Sequence, residues 1–269
     1  MTIGYEDGIL TYFGDTFKVK LNRYSDPERL NLARNAAIYL GKKDRDNIRR
    51  PLNIIRDGHV TAIFRGEHAE FEFVDISKEA YDHIITYTTA NMRAAGGNRA
   101  LVSNDFTMPS DRMKDPERVR MNIKRSMDAY KDNLEAGETK QVARSAMPTA
   151  AKLNPLVYQF NFVTLGESIF KQRIWEKGAQ GNTVKVVQAM YELCAHMDKD
   201  LWDMFYEHKG TPALEWEEVK KKVKKEKLTV SQLINEIQAA IDDPEKGQNP
   251  DESLIDYLVR RSGGLKNMW

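Results

Sequence analysis

Apolar and polar positions alternate along residues 1–21 (Ile9, Tyr12, Phe13, Phe17, Val19, Leu21), which predicts a hairpin or strand turning at Gly14-Asp15. The period then changes. Ser25-Asp26-Pro27-Glu28 reads as a helix start, with proline tolerated in the first turn, and leads to an apolar face of Leu30, Ala33, Ala37 and Leu40 that Gly41 ends. A second helix covers Asp44 to Arg56 with a restart at Pro51, and Gly58-His59 opens a loop. Glu67 to Val74 alternates again through Ala69, Phe71 and Phe73, the mark of a half-buried strand. Ser77 then caps a helix running through Ala80, Ile84 and Ile85 to about Met92.

Residues 93–99 break that helix with Gly96 and Gly97 and finish on Asn98-Arg99. Adjacent glycines let backbone N–H groups converge on an anion, beside an arginine that supplies charge; a plain helix-terminating loop is the competing reading. Past Pro109 and Pro116, a helix from about Glu117 to Glu135 carries Val119, Ile123, Met127, Tyr130 and Leu134, and Gly137 ends it. Thr139 begins a short helix holding Gln141 and Arg144, which Pro148 follows. The aromatic run from Leu156 to Phe170 reads as a mostly apolar helix leading to Arg173, and Met190 to Tyr206 as one amphipathic helix. Together these elements predict a mixed α+β fold, helices packed on a mostly antiparallel sheet built from the N-terminal strands and Glu67–Val74.

Beyond Gly210-Thr-Pro212 the composition shifts: a lysine run at Lys220–Lys225, a helix from Leu228 to Ile241, a linker rich in Pro, Gly and Asn, and a last helix from Ser253 to Arg260. This divides the chain into a domain over 1–212 and a helical C-terminal extension over 213–269. The lysine run reads as a solvated helix face, because no aromatic residue interleaves with it. A formal net charge of +1 over 269 residues likewise gives no case for a nucleic-acid or membrane partner. One cysteine, Cys194, rules out an internal disulfide and fits a reducing cytosol; its helical neighbours make it a small buried thiol. The polar opening Met1 to Asp7 predicts no secretory signal, and no apolar run approaches a bilayer span, so the expected location is cytoplasmic. His59, His68, His83, His196 and His208 lack metal-ligand spacing, so no metal site is expected.

Arg144 and Arg173 stand beside much apolar surface. An arginine in such a setting needs an anionic partner, and its planar fork suits phosphate or the edge of a base. The bland alternative pairs them with acids such as Glu167 or Glu176.

Taken in order, these landmarks resemble the flavin-dependent thymidylate synthases over roughly residues 5–208. Gln141-Val-Ala-Arg144-Ser-Ala-Met-Pro148 is similar to the family's Glu-x-Ala-Arg-x-x-Leu-Pro. Arg173 followed by Ala179-Gln180 resembles its Leu-x-Leu-Arg…His-Ala-Gln-Trp-Glu, and Gly58-His59-Val-Thr61 with Glu67-His68 resembles its Gly-His-x-Ser/Thr-Pro-Phe-Glu-His. The departures are specific. Where the family has Arg-His-Arg against the flavin, this chain reads Thr86-Tyr87-Thr88; of that signature Arg99 survives, with Ala100 for the tyrosine that follows it. Gln141 replaces the motif's glutamate, Ser168 an asparagine that meets flavin, and Gly181-Asn182 the Trp-Glu.

The resemblance implies a homotetramer with sites between subunits that binds a pyrimidine deoxynucleotide monophosphate. Substrate would be held by Gly97, Asn98, Arg99, Gln141 and Arg144, and Arg173 would be the catalytic group facing the pyrimidine ring. His59, Thr61, Tyr87, Thr88, Asn161, Ser168 and Gln180 would line the cofactor side. The implied reaction is methylation of dUMP to dTMP using methylenetetrahydrofolate, FAD and NADPH, without an enzyme nucleophile. The degenerate flavin motif keeps two alternatives open: a flavin-poor C5 hydroxymethyl or related transferase acting on dUMP or dCMP, and a non-catalytic nucleotide-binding paralogue.

Overall fold

The computed structural model describes residues 2–59, 61–87, 93–95, 105–176 and 181–210. The N-terminal alternation resolves into three strands, β1 (Thr2–Glu6), β2 (Ile9–Phe13) and β3 (Lys18–Tyr24). Asp7 and Gly8 both take positive φ, 53° and 79°. A two-residue hairpin needs that pair of left-handed residues for its turn to match the strand twist, and Asp-Gly supplies it. The turn at Gly14-Asp15 is therefore the second of two in a meander. Helix α1 (Leu30–Tyr39) starts later than Ser25. The Asp26 carboxylate accepts from the Leu32 N–H at 2.9 Å and Arg29 is left-handed at φ 60°, so residues 25–29 form the entry turn. Helix α2 (Arg50–Arg56) begins where Pro51 can occupy its first turn.

Strand β4 (His68–Val74) is followed by helix α3 (Lys78–Ile84), whose cap Ser77 accepts from the Ala80 N–H. Helix α3 stops well short of Met92; the β-branched and aromatic residues at Thr86-Tyr87-Thr88 disfavour its continuation. Strand β5 (Arg93–Ala95) follows, where the sequence predicts only a loop. Helix α4 (Pro116–Glu135) covers the expected span, with Asp115 capping it by accepting from the Arg118 N–H, and helix α5 (Lys140–Ala143) starts at the expected Thr139. The aromatic run divides. Leu156–Asn161 is strand β6, and only Thr164–Trp175 coils, as a π-helical segment. Helices α6 (Asn182–Met197) and α7 (Lys199–Phe205) replace the single helix expected over Met190–Tyr206. Asp198 breaks it with extended backbone and caps α7 by accepting from the Leu201 N–H at 3.1 Å.

The six strands form one antiparallel sheet in the order β1-β2-β3-β4-β6-β5. Leu10, Val19, Leu21, Phe71, Phe73 and Phe160 project from one face into the main core, where α6 lies across β2 and β3 and packs against α3, α7 and the π-helical segment. Its densest part is aromatic: Phe162, Phe170 and Phe205 surround the fully buried Trp202. Gly166 lets the Phe205 ring lie on the segment, since a Cβ there would stand 2.6 Å from the ring. The opposite sheet face is charged, with Lys18 and Lys20 both paired to Glu6. The fold expected from the sequence stands, with β5 and β6 added to its sheet.

Tyr191 of α6 packs edge-on against Phe170 and Trp175, and burial, with nearby acidic charge, pushes its phenol up to about 12. Unfolded tyrosine ionises near 10. Below that pH both states hold the proton and the stabilisation is complete; between 10 and 12 the unfolded chain releases it first, so stability falls. Urea midpoints are expected to decline across that window, less steeply in Tyr191→Phe. Equal declines in both proteins would remove Tyr191 as the cause.

Candidate functional site

Arg173 lies near the end of the π-helical segment, half-buried, with its guanidinium carbon 5.5 Å from the centre of the Tyr87 ring. Three contacts hold that tyrosine. Its backbone carbonyl accepts from the Tyr158 hydroxyl at 2.7 Å, and its own hydroxyl donates to Gln172 Oε1 at 2.9 Å. Its amide closes the turn after α3 by donating to the Ile84 carbonyl. Burial pushes the Tyr87 phenol up, while the charge and hydrogen bonding of Arg173 pull it back down.

The acids expected to neutralise Arg173 are engaged elsewhere. Glu176 faces Lys171 at 4.0 Å, and Glu167 accepts from Thr61 Oγ1 at 3.0 Å and faces Lys209 at 3.4 Å. Arg173 Nε is buried with no hydrogen-bond partner, and no described carboxylate lies within ion-pair distance of the side chain. A half-buried cation resting on a ring and bonded to its phenol still keeps Nε available for an anion or a carbonyl.

Gln141 and Arg144 are exposed, while Ala143 between them is fully buried and anchors the turn. The chain continues through Arg144–Ala146 as a tight turn to Met147, which packs on a small cluster of Ile123 and Met127 from α4 with Ala150 and Ala151. Thr149 and Ala151 then accept from the amides of Glu79 and Lys78, tying this stretch to the start of α3. Helix α3 therefore spaces the two regions: the segment after Arg144 joins one end, and Tyr87 with Arg173 lies past the other, about 10 Å of helix away. No described bond joins Arg144 to Arg173 within one chain, and Arg144 forms no ion pair among the described residues.

The positions carried over to the flavin side are mostly occupied by contacts inside the chain. Thr61 donates to Glu167. Tyr87 is held as above, and the Thr86 hydroxyl donates to the His83 carbonyl. Asn161 accepts from the Thr164 N–H at 2.8 Å and so starts the π-helical segment. Ser168 is half-buried and His59 is exposed. A flavin diphosphate calls for cations or free donors; Thr61, Tyr87 and Asn161 are engaged inside the chain, while Ser168 and His59 carry no side-chain hydrogen bond among the described residues and remain available as donors. Thr88, Gly97, Asn98, Arg99, Gln180 and the extension over 213–269 lie outside the described residues. Among the described residues no three of His, Cys, Asp or Glu converge on a point that could hold a metal ion. None of their helices is long and apolar enough to cross a membrane.

Two residues escaped the sequence reading. Gln172 and Tyr158 shape the site through long-range contacts to Tyr87, for which no local motif exists. Gly181 is a third. Its φ of 62° and the 2.1 Å approach of the Pro109 carbonyl to any Cβ placed there admit only glycine, which explains the departure from the tryptophan of the resembling motif.

A family model described as thymidylate synthase complementing protein matches residues 20–198. No curated protein sequence matches the chain. Among solved structures, the fold is similar to that of the UMP/dUMP methylase PolB from Streptomyces cacaoi bound with 5-Br dUMP, at a TM-score of 0.59 and 14% identity. The similarity covers 72% of this chain and 96% of that one. At that identity it speaks for the fold alone.

Proposed function

Because the chain belongs to the thymidylate synthase complementing protein family, we propose that it transfers a one-carbon unit from methylenetetrahydrofolate to C5 of a pyrimidine deoxynucleotide monophosphate, with dUMP the first candidate. The observation that carries this is Arg173, a half-buried guanidinium resting on Tyr87 with no carboxylate partner among the described residues and Nε without a hydrogen bond. Water adding at C6, and leaving again once the new bond is made, puts negative charge on the ring carbonyls; a fixed cation beside the base stabilises it, and C5 of that enolate attacks the donor's methylene. A new C5–carbon bond forms, the C5 proton leaves to solvent, and the methylene's bond to the folate nitrogen breaks. Arg144 holds the phosphate, with Gln141 beside it and Gly97, Asn98 and Arg99 completing the grip. The separation of Arg144 from Arg173 within one chain fits a site shared between copies of a homotetramer.

The engaged flavin-side positions favour the flavin-poor form of this reaction, in which water completes the exocyclic carbon as a hydroxymethyl group. Methylation to dTMP needs a reductant in addition, and NADPH with FAD is its expected source. The deciding experiment incubates dUMP or dCMP with methylenetetrahydrofolate, with and without FAD and NADPH. It reads the mass of the nucleotide product and the absorbance of the desalted protein. A hydroxymethyl product and a colourless protein support the flavin-poor form; a methyl product that depends on retained FAD overturns it. No product from either nucleotide removes the transferase reading.

Arg144→Ala is expected to weaken dUMP binding by about 1.5–3 kcal/mol, the range for a hydrogen bond to a charged group. Titration calorimetry reads this directly, and unchanged affinity would remove Arg144 from the phosphate site.

A further inference from the structure

We propose that Tyr87 is a positioning residue for Arg173, holding the guanidinium over its ring by charge and hydrogen bonding while leaving Nε without a partner and open to the substrate; this rests on the proposed C5 transfer. The geometry is specific. Tyr87 is fixed at both ends, by Tyr158 on its backbone carbonyl and by Gln172 on its hydroxyl, and Arg173 lies 5.5 Å over the ring between them. Gln172 and Arg173 are consecutive in the π-helical segment, so the tyrosine braces two adjacent side chains of one turn. Tyr158 belongs to β6, where it pairs with Arg93 of β5, so the brace is tied to the edge of the sheet.

A carboxylate could hold an arginine too, but it would occupy the fork and cancel the charge that the reaction uses. A tyrosine attracts the cation with its ring and takes a hydrogen bond on its phenol, but it neither cancels the charge nor occupies Nε. The acids nearest in sequence, Glu167 and Glu176, are turned to lysines, consistent with that division.

The test compares wild type, Tyr87→Phe, Tyr87→Leu, Arg173→Gln and Tyr87→Leu/Arg173→Gln. Tritium released from C5 of labelled dUMP in the presence of methylenetetrahydrofolate reads the reaction whichever group is transferred. Because a misplaced catalytic group loses up to about a hundredfold, Tyr87→Leu is expected to lower kcat by roughly 30-fold. Its nucleotide Kd should move by less than about threefold, and Tyr87→Phe, which keeps the ring, should recover most of the rate. The double variant should be no slower than Arg173→Gln alone, because the two residues act as one unit. Full activity in Tyr87→Leu, or losses that multiply in the double variant, would overturn the proposal; a merely structural tyrosine would give multiplying losses.

A second readout needs no turnover. Removing the Arg173 charge should move one tyrosine's ionisation to higher pH in an ultraviolet titration, and the same change in a Tyr87→Phe background should move none. If wild type releases no tritium but this shift is present, the C5-transfer reading fails while the Tyr87–Arg173 brace stands. If the shift is absent, the brace itself fails.

Discussion

Arg173→Gln is expected to lower turnover on dUMP by about 10²–10³-fold, the usual effect of deleting one preorganised donor at a developing anion. Glutamine keeps length and some hydrogen bonding, so the nucleotide should still bind and the loss should fall mainly in kcat. The physical reason is that the cation is already in place before reaction. It rests on Tyr87, with Nε withdrawn from water and without a partner, so no carboxylate must be displaced when charge appears on the ring. Single-turnover kinetics at saturating dUMP would separate the cases. A variant with wild-type kcat and a raised KM would show that Arg173 contributes only uniform binding.

The second large effect lies in the core. Trp202→Ala should destabilise the fold by about 3–5 kcal/mol, as expected for removal of a large buried aromatic residue. Trp202 meets Phe162, Phe170 and Phe205 at ring separations of 5.4, 5.3 and 5.4 Å, and its indole N–H donates to the Tyr24 hydroxyl at 3.0 Å. Alanine leaves both a cavity between β3, β6 and α7 and a buried phenol without its donor. Burial already pushes the Tyr24 phenol well up, so that hydroxyl cannot escape by ionising. Trp202→Phe should lose much less, since it keeps a ring and gives up the hydrogen bond. Urea unfolding measures both, and a loss below about 1 kcal/mol in the alanine variant would place it among ordinary substitutions and contradict this packing account.

Local patterns carried much of the fold. Ser77 and Thr139 cap the helices they were expected to begin, and Ala69, Phe71 and Phe73 face inward on the expected strand. The errors arose where two periods meet without a break. Leu156, Tyr158 and Phe160 alternate, but Leu165, Ile169 and Phe170 follow at helical spacing, and a short apolar run does not say where one ends. Asp198 reads as one polar residue on a helix face until its carboxylate is found bonded to the Leu201 N–H. Asp7-Gly8, by contrast, is a strong hairpin signal that the broader alternation obscured.

The candidate site was legible in its residue types and not in its contacts. Arg144 and Arg173 stand out because unpaired arginine is costly near apolar surface. That Glu167 turns to Lys209 and Thr61, and that Arg173 turns to Tyr87, depends on chain segments brought together only by folding. Motif position alone puts Tyr87 on the cofactor side; its bonds to Tyr158 and Gln172 come from β6 and the π-helical segment, where no spacing rule reaches.

The strand order has a consequence for how the molecule assembles. β1, β2 and β3 adjoin in sequence and can pair as soon as they leave the ribosome. β6 docks between β4 and β5 and must wait until the intervening helices have been synthesised, closing a long loop against chain entropy. Until it arrives, the inner edge of β4 offers unpaired amides and carbonyls beside Phe71 and Phe73, a template for pairing with another chain. Since β6 also carries Tyr158, the site can form only after that edge has closed.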